Sequence, residues 1–248
     1  MTAAFPETDR ASEEAGRLAE AFSAAFDLVV FDWDGTLVDS TGAITESIRG
    51  AAADLGLAIP TREQASHVIG LGLHDALRLA VPDLSVERLP AFVERYRFHF
   101  LKRDQNFLPF EGVSDLLAEL NGSRQWVAIA TGKSRVGLNR GLEQMGWQRR
   151  FITTRCADEG RPKPDPWMLL DICEELGVSP ARAVMIGDTT HDLGMARDAG
   201  AASVAVTYGA HPHAELDAFG ATAIVHSVTQ LRDWLVPRLR VSGEGVAE

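Results

Sequence analysis

The sequence predicts an α/β protein: a doubly wound, Rossmann-like parallel sheet with an inserted all-α cap. Three observations carry that prediction. After Pro109, short apolar runs alternate with helical segments, the pattern of a parallel sheet covered on both faces. Before it, residues 40–105 show helical patterning and no convincing strand, directly after a first apolar run. Residues that carry chemistry also fall at the ends of the apolar runs, where open parallel sheets form their sites.

In chain order, Ala11 to Phe26 is rich in alanine and glutamate, with Leu18, Phe22 and Phe26 at helical spacing, and reads as an N-terminal helical extension over 1–26. Leu28 to Phe31 is the first buried strand. The block 40–107 reads as the cap. Ile44, Ile48, Ala51, Ala52 and Leu55 fit one helical face, Ala76, Leu77, Leu79 and Ala80 a second, and Phe92, Tyr96, Phe98 and Phe100 a third stretch. Trp126 to Ala130, Ala183 to Ile186, Ser203 to Val206 and Ala223 to Val225 read as strands. Helices are expected near 111–121, 134–146, 165–177, 190–199 and 228–239. The α/β core is therefore expected over 27–39 and 108–240, followed by a flexible tail at 241–248.

The bulk properties narrow the function classes. Of 248 residues, 46% are hydrophobic and 24% charged, an ordinary globular composition. A formal charge of -11 argues against nonspecific binding to nucleic acid or anionic membranes. The two cysteines, Cys156 and Cys173, suggest free structural thiols and a reducing compartment. No apolar run approaches the roughly 18 residues of a membrane span. The first 26 residues carry Glu7, Asp9, Glu13, Glu14 and Glu20 without a signal core, so a cytoplasmic location is expected.

The first strand ends in Asp32-Trp33-Asp34-Gly35-Thr36. Two like charges at about 4 Å repel by roughly 4 kcal/mol at an effective dielectric near 20, so this pair needs compensation. The other strand ends supply it. Trp126 to Ala130 runs into Thr131-Gly132. Ala183 to Ile186 runs into Gly187-Asp188, with Asp192 one helical turn on. The loop Arg161-Pro162-Lys163-Pro164-Asp165-Pro166 carries Lys163 between prolines. Clustered carboxylates tolerate one another around a hard cation such as Mg²⁺, with Asp32 and Asp188 as direct ligands and Asp192 as ligand or support. Thr131, the Gly132 amide and Lys163 would hold phosphate oxygens. Asp188 could equally cap a helix together with Thr189 and Thr190. Lys133 reads more simply as a surface residue at a helix start. His191 is expected to point away from the acids, His211 and His213 to lie in a surface loop rather than a zinc site, and Trp33 to serve packing.

These four motifs, DWDGT at 32–36, TG at 131–132, Lys163 in RPKPDP and GDTTHD at 187–192, resemble in kind and order the haloacid dehalogenase superfamily of hydrolases, over residues 27 to 230. The resemblance implies that Asp32 is a nucleophile forming an aspartyl-phosphate and Asp34 the general acid and base. It also implies that the backbone carbonyl of Asp34 joins Asp32, Asp188 and Asp192 around Mg²⁺. Dehalogenases of the superfamily lack the second aspartate and the metal, so Asp34 and the Asp188/Asp192 pair argue against dehalogenation. Phosphonate hydrolases use a cap lysine, and residues 40–100 contain none. The cap after the first motif is similar to that of the phosphoglycolate phosphatase and β-phosphoglucomutase subgroup. The expectation is a Mg²⁺-dependent phosphatase acting on a small phosphorylated metabolite such as phosphoglycolate. A phosphomutase, a nucleotide or pyrophosphate phosphatase and a non-catalytic phosphate binder stay open, as does monomer against homodimer. Val68 to His74 resembles a substrate-facing loop, so Arg49, Gly70, His74 and Arg78 are the cap residues expected near substrate.

Overall fold

The computed structural model describes residues 26–103, 107–123 and 125–239. The N-terminal helix expected over 11–26 lies outside them except for Phe26, which bridges in parallel to Leu239; the tail at 241–248 also lies outside them.

Six strands form one parallel sheet: β1 (Leu28–Phe31), β2 (Trp126–Thr131), β3 (Thr153–Cys156), β4 (Ala183–Gly187), β5 (Ala202–Val206) and β6 (Ala223–Val225), in the order β3-β2-β1-β4-β5-β6. β1 lies at the centre, with Phe31 level with Ile129 of β2 and Ile186 of β4. All four of its side chains are buried because both sheet faces are covered. Alternation sends them to two cores. Val29 and Phe31 meet Leu116, Leu117 and Leu120 of α5 (Val113–Gly122) and Leu231 and Leu235 of α10 (Val228–Leu235). Leu28 and Val30 meet Met168, Leu169 and Ile172 of α7 (Trp167–Leu176) and Met195 and Ala196 of α8 (Thr190–Ala199). Trp33 is buried in the first of these cores, edge-on to Trp147 with ring centroids 5.9 Å apart.

The cap has a core of its own. α1 (Thr41–Asp54) and α4 (Leu89–Leu101) pack along their lengths, and α2 (Arg62–His67) and α3 (Leu73–Ala80) close the bundle. Ile48, Ala51 and Ala52 of α1, Leu77 of α3 and Phe92 and Phe100 of α4 are buried there. Two residues expected in that core are not: Leu79 and Phe98 are 64% and 42% exposed. α3 buries Ala76, Leu77 and Ala80, a face narrower than the apolar stripe suggests.

The chain enters and leaves the cap side by side. Asp39 N donates to Leu108 O (3.1 Å) and Phe110 N to Leu37 O (3.1 Å), pairing Val38 with Pro109 as an antiparallel bridge.

One strand and one α-helix of the α/β core carry no signal in the sequence. β3 is an edge strand, Thr-Thr-Arg-Cys, whose first three residues are only half-buried, so it carries no apolar run. Its Arg155 instead pairs with Asp171 and Glu175 of α7. α9 (His213–Phe219) is a helix of seven residues that buries Leu216 alone.

Candidate active site

The turn after β1 aims two carboxylates. Asp32 N donates to Ile186 O (2.9 Å), continuing the ladder one residue past the strand. Leu37 N and Val38 N both donate to Trp33 O, closing a tight loop. Gly35 sits at its apex with φ +85°, and a Cβ there would collide with the Asp188 carboxylate, so both backbone and space demand glycine.

Asp32, Asp188 and Asp192 are buried, and one oxygen of each lies within 4.8 Å of the others. Lys163, only 1% exposed, is driven between them: its Nζ donates to Asp32 Oδ1 (2.7 Å) and Asp192 Oδ1 (2.6 Å). Burial lowers the lysine's proton affinity, yet the charges of Asp192 and Asp32 outweigh it and leave the ammonium raised above its usual range. The remaining Asp192 oxygen accepts from Thr189 Oγ1 (2.6 Å) and Thr189 N (3.1 Å), so Asp192 also closes the capping box of α8. Asp188 does not cap: it accepts from Thr36 Oγ1 (2.8 Å) and Ala210 N (2.7 Å).

Three carboxylates against one ammonium leave the cluster short of positive charge. Burial pushes Asp32 up to about 7 against the pull of Lys163. Burial, then Asp32 and Asp192, hold Asp188 well above the usual carboxylate range. Asp32 Oδ2 is buried with no hydrogen-bond partner. An orphaned carboxylate oxygen beside two further carboxylates fits a divalent, oxygen-seeking cation such as Mg²⁺.

Asp34 faces a different environment. Ser40 Oγ donates to its Oδ1 (2.6 Å), and Lys133 Nζ donates to both oxygens (3.0 and 3.1 Å). Lys133 in turn lies 5.0 Å from the centre of the cap's Phe100 ring. Lys133, expected as a surface residue at a helix start, and Ser40, to which the sequence assigns no role, thus belong to the site. Their only signals were position, one directly after Thr131-Gly132 and the other six residues past Asp34. Thr131 is buried at the end of β2, and its Oγ1 accepts from Lys133 N (3.2 Å). Gly132 lies under the cap: a Cβ there would strike Gly70 O and Leu71 O.

A cavity of about 440 Å³ separates core and cap, and Asp32, Asp34, Gly132, Lys133 and Gly70 line it. Arg49, His74 and Arg78 do not. Arg49 donates to Pro60 O and faces Glu46 (3.7 Å), tying the cap to itself. His74 and Arg78 sit one turn apart on the exposed face of α3, opposite Leu73 and Ala76, which do line the cavity. Arg97 and Arg140 line it instead.

His191 points away from the acids. Its Nε2 lies 3.1 Å from the cap carbonyl His67 O, which His211 Nε2 also meets at 3.0 Å. His211 is not a surface residue. It is 2% exposed and stacks on the His67 ring at 4.5 Å, and burial pulls its pKa down to about 4. His67, His211 and Glu215 cluster closely enough to suggest a metal, but the His67 and His211 rings lie parallel within 10°. Their in-plane lone pairs do not converge, and His211 Nδ1 already accepts from Thr190 N (3.2 Å). Cys156 and Cys173 are free, and burial raises their thiols to about 12 and about 11.

The family model for haloacid dehalogenase-like hydrolases matches residues 29–206. The probable phosphatase IndB of Dickeya dadantii is 37% identical over 210 residues, covering 82% of this chain and 91% of that protein. The tyrosine-protein kinase PtkA of Mycobacterium tuberculosis is 31% identical over 213 residues, covering 84% of this chain and 72% of that protein. A solved structure from Haemophilus somnus, described as a predicted phosphoglycolate phosphatase, aligns with TM-score 0.75 at 25% identity, covering 84% of this chain and 97% of that one.

Proposed function

This chain belongs to the haloacid dehalogenase-like hydrolase family and is a phosphatase of that family, and from that premise we propose that it hydrolyses a small phosphomonoester through a phosphorylated Asp32 with Mg²⁺. The observation that carries the reading is the state of the two aspartates. Asp32 keeps one oxygen unpaired at the cavity, while Asp34 is held from the side by Ser40 and Lys133.

In this reading the Asp32 carboxylate attacks phosphorus, forming the acyl-phosphate bond as the bond to the leaving oxygen breaks. Asp34 gives that oxygen its proton. Asp34 then takes a proton from the water that attacks the phosphoryl group, which frees inorganic phosphate and restores Asp32. Thr131, the Gly132 amide and Lys163 hold phosphoryl oxygens, and Lys163 also keeps Asp32 oriented. Asp32, Asp188, Asp192 and the Asp34 carbonyl would hold Mg²⁺, which when bound supplies the positive charge that lets a carboxylate approach a phosphate dianion. The cap shuts bulk water out, leaving the proton traffic to Asp34.

Among the described residues, no helix is long and apolar enough to cross a membrane; a cytoplasmic location belongs to the same proposal. The test is phosphate release from a panel of phosphorylated metabolites with Mg²⁺, beside Asp32→Asn. Turnover by the wild type and loss of about three orders of magnitude or more in the folded variant support the reading. Near-normal release by Asp32→Asn overturns it.

A further inference from the structure

Phosphoglycolate is a two-carbon ester with a second negative charge. A site built for it needs little room and a cation placed for the carboxylate. The cavity above Asp32 offers far more room than that. It measures about 440 Å³, so a two-carbon ester would leave most of it to water. Its cap wall is mostly hydrocarbon, with Ile48, Val68, Leu71, Leu73 and Phe100 beside Tyr96 and Arg97. Of the arginines, Arg97 of the cap and Arg140 of the core reach the lining, while two others of the cap are turned elsewhere. Arg49 is bound to Pro60 O and faces Glu46, and Arg78 is on the outer face of α3.

An apolar wall between two domains can simply be their packing surface. Here the apolar surface continues out to the mouth, where packing does not explain it. Leu101 of α4, 44% exposed, and Val136 of α6 (Arg135–Met145), 75% exposed, both line the cavity, one from the cap and one from the core. Hydrocarbon facing an open cavity from the phosphoryl end to the rim gains stability only when something apolar fills it.

We propose that the substrate is a phosphomonoester whose alcohol part is a bulky apolar group, alkyl or aryl, seated against Val68, Leu71, Leu73 and Phe100, rather than a short carboxylated ester. This rests on the phosphatase reading of the Asp32 site and adds the substrate class.

A homologous series tests it without changing the leaving group's reactivity. Phosphate release is measured with Mg²⁺ for methyl, butyl, hexyl and octyl phosphate and for 2-phosphoglycolate. The expected kcat/KM rises by up to about fourfold per methylene, the transfer energy of one CH₂, until the cavity is full, and 2-phosphoglycolate falls below the hexyl ester. Val136→Glu, on the exposed rim where folding is not at stake, lowers kcat/KM for the octyl ester by about tenfold or more relative to methyl phosphate. A flat series, a preference for 2-phosphoglycolate, or an equal effect of Val136→Glu on short and long esters overturns the substrate class. Absence of phosphate release from every ester overturns the phosphatase reading itself.

Discussion

The floor and the roof of the cavity follow opposite rules. On the floor, polar groups from four segments are buried and bonded to one another, and Lys163 touches two acids that lie 131 and 29 residues away in sequence. On the roof, the cap presents mostly apolar side chains, with Tyr96 and Arg97 among them, held by the packing of α1 against α4. The floor fixes charges within hydrogen-bond tolerance. The roof fixes only a shape. The reacting atoms can therefore stay constant while the space above them is free to differ in size and polarity.

The sharpest way to break this contrast is to remove the ammonium. Lys163→Met leaves Asp32 and Asp192 buried without their counter-charge, with an expected loss of about 3–5 kcal/mol in urea unfolding and of nearly all turnover. A stable, active Lys163→Met would mean the floor is no more demanding than the roof. The matching change in the roof is Phe92→Ala, at 0% exposure in the cap core. It should also cost about 3–5 kcal/mol, but through a cavity in the cap. Fluorescence and circular dichroism transitions that separate in this variant, and coincide in Lys163→Met, would mark the cap as its own folding unit.

Proton linkage separates the two regions next. Burial raises the folded pKa of Asp32 to about 7 from the usual 3.8, so between those values the folded protein binds more protons than the unfolded one. The Asp32 contribution to the stability of the metal-free protein should therefore be full below about pH 4 and be lost as pH rises through 7. Thermal melts with Mg²⁺ should lose much of that slope, since the cation takes the proton's place. An unchanged slope would show that the acids do not hold it.

Smaller still, Ser40→Ala removes one hydrogen bond to Asp34 and should cost about 1 kcal/mol of stability. It should lower kcat by about tenfold with little change in KM. A change in KM alone would mean that Ser40 acts on binding. Least of all, Arg78→Ala should stay within about 0.5 kcal/mol of wild type with kcat and KM unaltered; a raised KM would return that arginine to the substrate.

What was legible in the sequence divides along the same line. Asp32, Asp34, Thr131, Asp188 and Asp192 could be gathered because a parallel sheet delivers its strand ends to one edge, and strand ends can be read from apolar runs, while Lys163 stood out only by the prolines around it and its place in the motif order. The cap side chains could not. Whether His74 and Arg78 face inward depends on how α3 is rotated in its bundle, and the exposed Leu79 misleads a reading that counts apolar residues alone. β3 was missed because an edge strand tied down by Arg155 needs no hydrocarbon to mark it. His211 read as a loop residue because its burial comes from the cap's His67, 144 positions away.

The paired linkers at Val38 and Pro109 have a mechanical consequence. Two chains joined by Asp39 N to Leu108 O and Phe110 N to Leu37 O form a strap, not two independent tethers. A strap folds across its flat face far more easily than it shears along its length. Any travel of the cap would thereby be reduced to one swinging angle, which would bring Gly70 back over Gly132 in the same register.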